Sequence, residues 1–145
     1  LEAMPGFEVR VMTGKQIRNA GRIDADVIIF TGGSGSRQGK SLGDEGREIV
    51  RDFVARGGGY IGVCAGAYLA LQGTEEFHKL RLVAAANLTG DSWKRGMAPV
   101  EVVKDKTTPP ETTNFMMHYA NGPIFAQAEI DESVKDKVSP WISLA

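Results

Sequence analysis

Residues 57–68 read GGGYIGVCAGAY: three glycines, a short apolar run, a cysteine, and then a string of helix formers. Tyr60–Val63 predicts a strand and Ala65–Leu71 predicts a helix, so Cys64 falls at the turn between them. Gly62 stands two residues before the cysteine and Gly66 two after. The pattern is G-x-C-x-G, the thiol counterpart of the strand-turn-helix nucleophile elbow. The spacing has a physical reason. So sharp a turn holds the central residue in a strained backbone conformation, and side chains two positions away would collide across it. The start of the following helix also turns unpaired N–H groups and a positive dipole end toward the sulfur. The competing expectation is a structural cysteine, because free cysteine is among the most buried residue types and would then be sealed in packing.

Upstream, Asp26–Phe30 (DVIIF) is a continuous apolar run, which predicts a strand covered on both faces, as in a parallel sheet. Within 45–56, Ile49, Val50, Phe53 and Val54 share one helix face, and Gly57–Gly59 ends that helix. The glycine-dense stretch 31–46 predicts a loop. Nearer the start, Phe7–Met12 (FEVRVM) alternates like a half-buried strand, and Lys15–Ala20 predicts a short helix. Strand and helix alternate through this half, the order of an open α/β sheet with right-handed crossovers. The second half differs: 80–86, 100–103, 114–120 and 124–128 predict short strands separated by Gly96, Pro99, Pro109, Pro110, Gly122 and Pro123. Strand following strand predicts hairpins, a short antiparallel extension at the edge of a mainly parallel sheet. No repeat or linker divides the 145 residues, which read as one domain over 1–145.

Composition narrows the partners. Lys plus Arg number 17 against 18 Asp plus Glu, a formal charge of −1, so no basic field exists to hold a polyanion and no nucleic-acid partner is expected. The longest apolar run, Val27–Phe30, is far short of the ~20 residues that span a bilayer, so no membrane partner is expected either. A single cysteine excludes an internal disulfide and fits a reducing compartment, which slightly favours the cytoplasm. No Cys-x-x-Cys, His-Glu-x-x-His or clustered His/Asp/Glu set occurs, so neither a metal nor another cofactor is expected. What remains is a small-molecule substrate or ligand, with a homo-oligomer compatible with the composition.

The site is expected where strand ends meet. Thr31-Gly32-Gly33 follows DVIIF, and in an open parallel sheet the carboxyl ends of neighbouring strands share one crevice, so this loop should face Cys64. A thiol that attacks a carbonyl needs backbone donors for the developing oxyanion. The Ala65 N–H is one candidate and the Gly33 N–H the other, with Gly32 beside them. His118 is the candidate general base, in the segment Asn114–Phe125 (NFMMHYANGPIF). Tyr119 must point opposite to His118 on a regular strand, so one of the two faces the crevice; Tyr119 and Asn121 are further pocket candidates. His78, in a polar run, is a weaker one. Ser34–Ser41 (SGSRQGKS) resembles a phosphate-binding loop with serine in place of the first glycine, but Gly43 and Gly46 interrupt the helix such a loop needs.

Together GGYIGVCAGAY (58–68), FTGG (30–33) and HYANGPIF (118–125) resemble the class I glutamine amidotransferase-like superfamily. Within it they are most similar to the amidotransferase-like domain at the N-terminus of yeast-type biotin-protein ligases. The resemblance implies a flavodoxin-like three-layer α/β/α sandwich whose first strand would lie upstream of this chain. It also puts Cys64 in the nucleophile position, with Gly33 and Ala65 in the oxyanion positions. Working amidotransferases complete a Cys-His-Glu triad with a histidine, proline and glutamate after a late strand, and no His-Pro-Glu or His-x-Glu occurs here. The implied function is thiol-dependent amide or acyl hydrolysis or transfer with an incomplete triad. One alternative is a non-catalytic ligand-binding or regulatory module of the same fold. Another is a hydrolase of the DJ-1/PfpI kind, whose late histidine region is not matched. Nothing resembles the glycine-rich biotin- and adenylate-binding loop of a ligase catalytic domain, so biotin transfer is not expected of these residues.

Overall fold

A computed structural model describes residues 5–72, 78–83, 85–88, 90–92, 95–104, 111, 113–124 and 142–144. The fold is α/β, with a parallel sheet and a separate antiparallel one. The first helix, α1 (Gly14–Ala20), begins on a capping box: Thr13 Oγ1 accepts from Gln16 N and Gln16 Oε1 accepts from Thr13 N. It ends on Gly21 in the left-handed region and buries Ile17.

Strand β1 (Val27–Phe30) leads into α2 (Gly35–Ala55), which crosses to strand β2 (Gly59–Gly62). The strands pair in parallel, Val27 opposite Gly59 through Phe30 opposite Gly62. This is the βαβ unit expected from the order of elements. Helix α2 is longer than its sequence implied, because Ser34 caps it and much of the glycine-dense stretch is helical. Residues 35–41 therefore belong to a helix rather than to an open loop wrapped around a phosphate. Gly43, at φ 65° and ψ 179°, kinks the helix in a conformation open to glycine. The Arg18 guanidinium donates to the Ser41 and Leu42 carbonyls at the kink, 2.5 and 2.7 Å away.

The core lies where these helices cover one face of the parallel sheet. Ile17, Leu42, Ile49, Val50, Leu69 and Leu80 form its buried centre, with Ile28, Phe30 and Tyr60 reaching in from the strands. The other sheet face differs from expectation: Val27, Ile29 and Ile61 are 45%, 41% and 48% exposed, so among the described residues DVIIF is covered on one face. Strand periodicity decides this, since alternate residues of an all-apolar run point away from the helices whatever they are.

Two further expectations are corrected. Phe7–Met12 forms no strand, and its residues are exposed. An alternating pattern becomes a strand through hydrogen bonding to a neighbour, and the contact that ties this stretch down is Arg10 donating to the Asp24 carbonyl. The described residues of 80–86 likewise form no strand; Leu80 and Leu82 instead donate to the Leu69 and Ala70 carbonyls of α3 (Ala65–Ala70). Strands β3 (Met97–Lys104), β4 (Phe115–Ala120) and β5 (Ile142–Leu144) form an antiparallel sheet in the order β4-β3-β5. It contains the expected 100–103 and 114–120 strands. In the expected strand 124–128, Ile124 is irregular and 125–128 lie outside the described residues. Among the described residues no helix is long and apolar enough to cross a membrane.

Candidate functional site

Cys64 sits between β2 and α3 at φ 52° and ψ −104°, and it is exposed. A non-glycine residue at positive φ is uncommon, and this ψ lies outside even the small left-handed helical region. Such a conformation persists only where the surroundings impose it. Two glycines let them do so. A Cβ on Gly66 would lie 2.1 Å from the Phe30 carbonyl oxygen, and one on Gly62 would lie 2.6 Å from Ala67 N. Their bare backbones therefore allow α3 to start hard against β1 and β2, which leaves Cys64 to absorb the turn. Tyr60 reinforces the junction from β2: its hydroxyl donates to the Gly66 carbonyl at 2.8 Å, and its ring stacks on Phe30. Burial pushes the Tyr60 phenol pKa well up, so the group stays a hydrogen-bond donor.

The structure brings the upstream loop to the same place. A Cβ on Gly32 would lie 3.7 Å from the Cys64 Cβ, and Gly33 takes φ 127°. Gly35, the first residue of α2, packs so closely on Ala65 and Tyr68 that its own Cβ would lie 3.0 Å from the Ala65 carbonyl oxygen. The starts of α2 and α3 thus converge beside the sulfur. Ala65 opens α3, so its N–H has no carbonyl one turn back to bond. The loop after β1 and the turn after β2 thus meet at the carboxyl ends of the two strands, as expected for Thr31-Gly32-Gly33 and Cys64.

The late segment also arrives. Cys64 Sγ lies 3.8 Å from the Ala120 carbonyl oxygen, at the end of β4. Two of the residues proposed from this segment are engaged in holding it. Tyr119 donates its hydroxyl to the Gly122 carbonyl at 2.9 Å, while Asn121 Oδ1 accepts from Gly96 N at 2.7 Å and so ties the end of β4 to the start of β3. His118 is exposed and paired across the sheet with Pro99; among the described residues no hydrogen bond joins it to the sulfur. The His78 carbonyl lies against the second turn of α2, at Gly39. Among the described residues no three metal-ligating side chains come together.

Sequence reasoning missed Gln38. From the second turn of α2 its Nε2 donates to the Thr31 carbonyl at 2.8 Å, fixing the loop that carries Gly32 and Gly33. Nothing in the sequence marks it, because residues 31–46 read as a loop and a glutamine seven positions away has no reason to face Thr31.

The fold and this junction define an α/β domain with an exposed, backbone-strained cysteine at a strand-to-helix turn. The family described as biotin-protein ligase, N terminal, matches residues 3–88, more than half of the chain, and the chain belongs to that family. The matched span contains β1, α2, β2 and α3, hence Gly32, Gly33, Cys64 and Ala65, whereas His118, Tyr119 and Asn121 lie beyond it. No curated protein matches the chain.

Proposed function

We propose that this biotin-protein ligase N-terminal domain is a cysteine-nucleophile module of the glutamine amidotransferase-like class, acting on a small amide or acyl substrate. The observation that supports this is Cys64 itself, exposed and held at φ 52° between β2 and α3. Backbone strain at a side chain that contributes little to packing is a cost to stability, and it has a use where that side chain must be presented to a substrate.

In this reading Sγ attacks the substrate carbonyl carbon and a C–S bond forms. The carbonyl oxygen takes the negative charge and receives hydrogen bonds from the Gly33 and Ala65 N–H groups. Collapse breaks the bond to the leaving amine or alcohol, which departs with a proton and leaves a thioester on Cys64. Water then releases the acid and restores the thiol. This reading assigns the base that carries the proton between sulfur and leaving group to His118, two residues before Ala120 on β4.

The test is a panel of glutamine, simple primary amides, esters and thioesters, assayed for ammonia or acid release and for acyl-enzyme by mass spectrometry, with Cys64→Ala as control. Turnover or acylation that disappears in Cys64→Ala is expected. Its absence across the panel overturns catalysis in favour of a second reading, a ligand-binding or regulatory module. That second reading is supported by the neighbour of Sγ on β4, which is a backbone carbonyl rather than a base.

A further inference from the structure

We infer that Gln38 is a positioning residue for the oxyanion donors, setting the Gly32–Gly33 loop against Cys64 from outside the crevice; the inference rests on the thiol reading above. The loop is poorly constrained by its own sequence. Thr31 through Ser34 bridge the end of β1 and the start of α2, and the two central residues are glycines with no side chain to pack. Both ends are fixed, since the Phe30 carbonyl accepts from Val63 N and Gly35 is buried against α3. Between them Ser34 is held by its capping bonds from Arg37 N and Gln38 N, and the Thr31 carbonyl accepts from Gln38 Nε2 at 2.8 Å.

Gln38 also carries a cost that needs a reason. Its Oε1 is sealed from solvent and has no hydrogen-bond partner among the described residues. A buried unsatisfied carbonyl costs about 1–3 kcal/mol, so a residue kept for stability alone would be better replaced by an apolar side chain of the same length. Turning the amide over gives no relief, because Oε1 would then face the Thr31 oxygen, acceptor against acceptor. The amide is therefore held donor-first against the loop. Thr31 immediately precedes Gly32, whose Cβ position lies 3.7 Å from the Cys64 Cβ, so a shift at Thr31 passes directly into the distance between the Gly33 N–H and a carbonyl bound at the sulfur.

Two reactions of Cys64 separate this role from a general structural one. Acetylation by p-nitrophenyl acetate forms a C–S bond, expels p-nitrophenolate and sends the thiol proton to solvent; it passes through a tetrahedral oxyanion that the donors can stabilise. Alkylation by iodoacetamide displaces iodide in one step and builds no oxyanion. Gln38→Met and Gln38→Glu both remove the donor at similar length, and either one suffices should the other fail to fold, as checked by circular dichroism. We expect single-turnover acetylation to slow by about tenfold in each, short of the ~100-fold that loss of a donor itself brings, with alkylation unchanged. Equal acetylation rates in wild type and variants overturn the inference while leaving the thiol reading intact. A parallel fall in both reactions overturns it too, because Gln38 then shapes the cysteine turn as a whole. Wild-type acetylation no faster than in Cys64→Ala removes the thiol reading and the inference with it.

Discussion

Replacing Cys64 with glycine should stabilise the protein, although glycine ordinarily weakens a fold. At φ 52° and ψ −104° the residue lies in a region closed to side chains with a Cβ, a conformation that costs on the order of 1–3 kcal/mol. Glycine adopts it without that cost but loses roughly 0.5–1 kcal/mol through its more flexible unfolded chain. The side chain is exposed, so truncating it sacrifices little burial. At the midpoints of these ranges the balance favours Cys64→Gly by about 1 kcal/mol, a rise in Tm of about 2–4 °C for a domain of this length. Cys64→Ala is the control: it removes the sulfur and keeps the Cβ, so it should melt within about 0.5 kcal/mol of wild type. The measurement is urea and thermal unfolding of the three proteins side by side. A glycine variant no more stable than the alanine variant refutes the strain at this turn and removes the observation on which the functional proposal stands.

Gly66→Ala should act in the opposite direction, because its Cβ would meet the Phe30 carbonyl oxygen at 2.1 Å and force α3 away from β1. We expect a loss of about 1–3 kcal/mol in urea unfolding together with altered Cys64 labelling by iodoacetamide. Lys79 offers a test by pH. Its ammonium donates to the Tyr68 carbonyl over the Tyr68 ring, and burial lowers its pKa from 10.5 to about 7. Between those values the unfolded chain binds the proton and the folded one releases it, so stability rises with pH from about 7 to 10.5 and the burden of the buried charge is fully present below 7. The urea midpoint of wild type minus that of Lys79→Met should therefore increase across this window; a flat difference contradicts the burial of the charge.

Much of the site was legible because its residues are constrained by near neighbours along the chain. G-x-C-x-G announced a sharp strand-to-helix turn, and the structure gives the reason atom by atom: Gly62 and Gly66 are both positions where a Cβ would strike backbone. The meeting of Thr31-Gly32-Gly33 with Cys64 followed from the rule that adjacent parallel strands end together. Other features were hidden for physical reasons. The glycines of 31–46 counted as helix breakers, but the bare backbones at Gly35 and Gly39 let α2 touch Tyr68 and His78 closely, and packing outweighed propensity. FEVRVM carried the right alternation and formed no strand. Tyr119 and Asn121 fell in the expected segment, yet their hydrogen bonds go to Gly122 and Gly96.

By itself, then, the amino-acid order determined the βαβ alternation and the place of the cysteine within it, since helix faces, strand runs and flanking glycines all act over a few neighbouring residues. Only the tertiary structure decided that the sulfur is presented rather than sealed, that one face of DVIIF is left open, and that Gln38 and Ala120 reach the crevice. Those outcomes depend on pairs of groups 7 to 56 residues apart, whose distances are set by the packing of whole elements on one another.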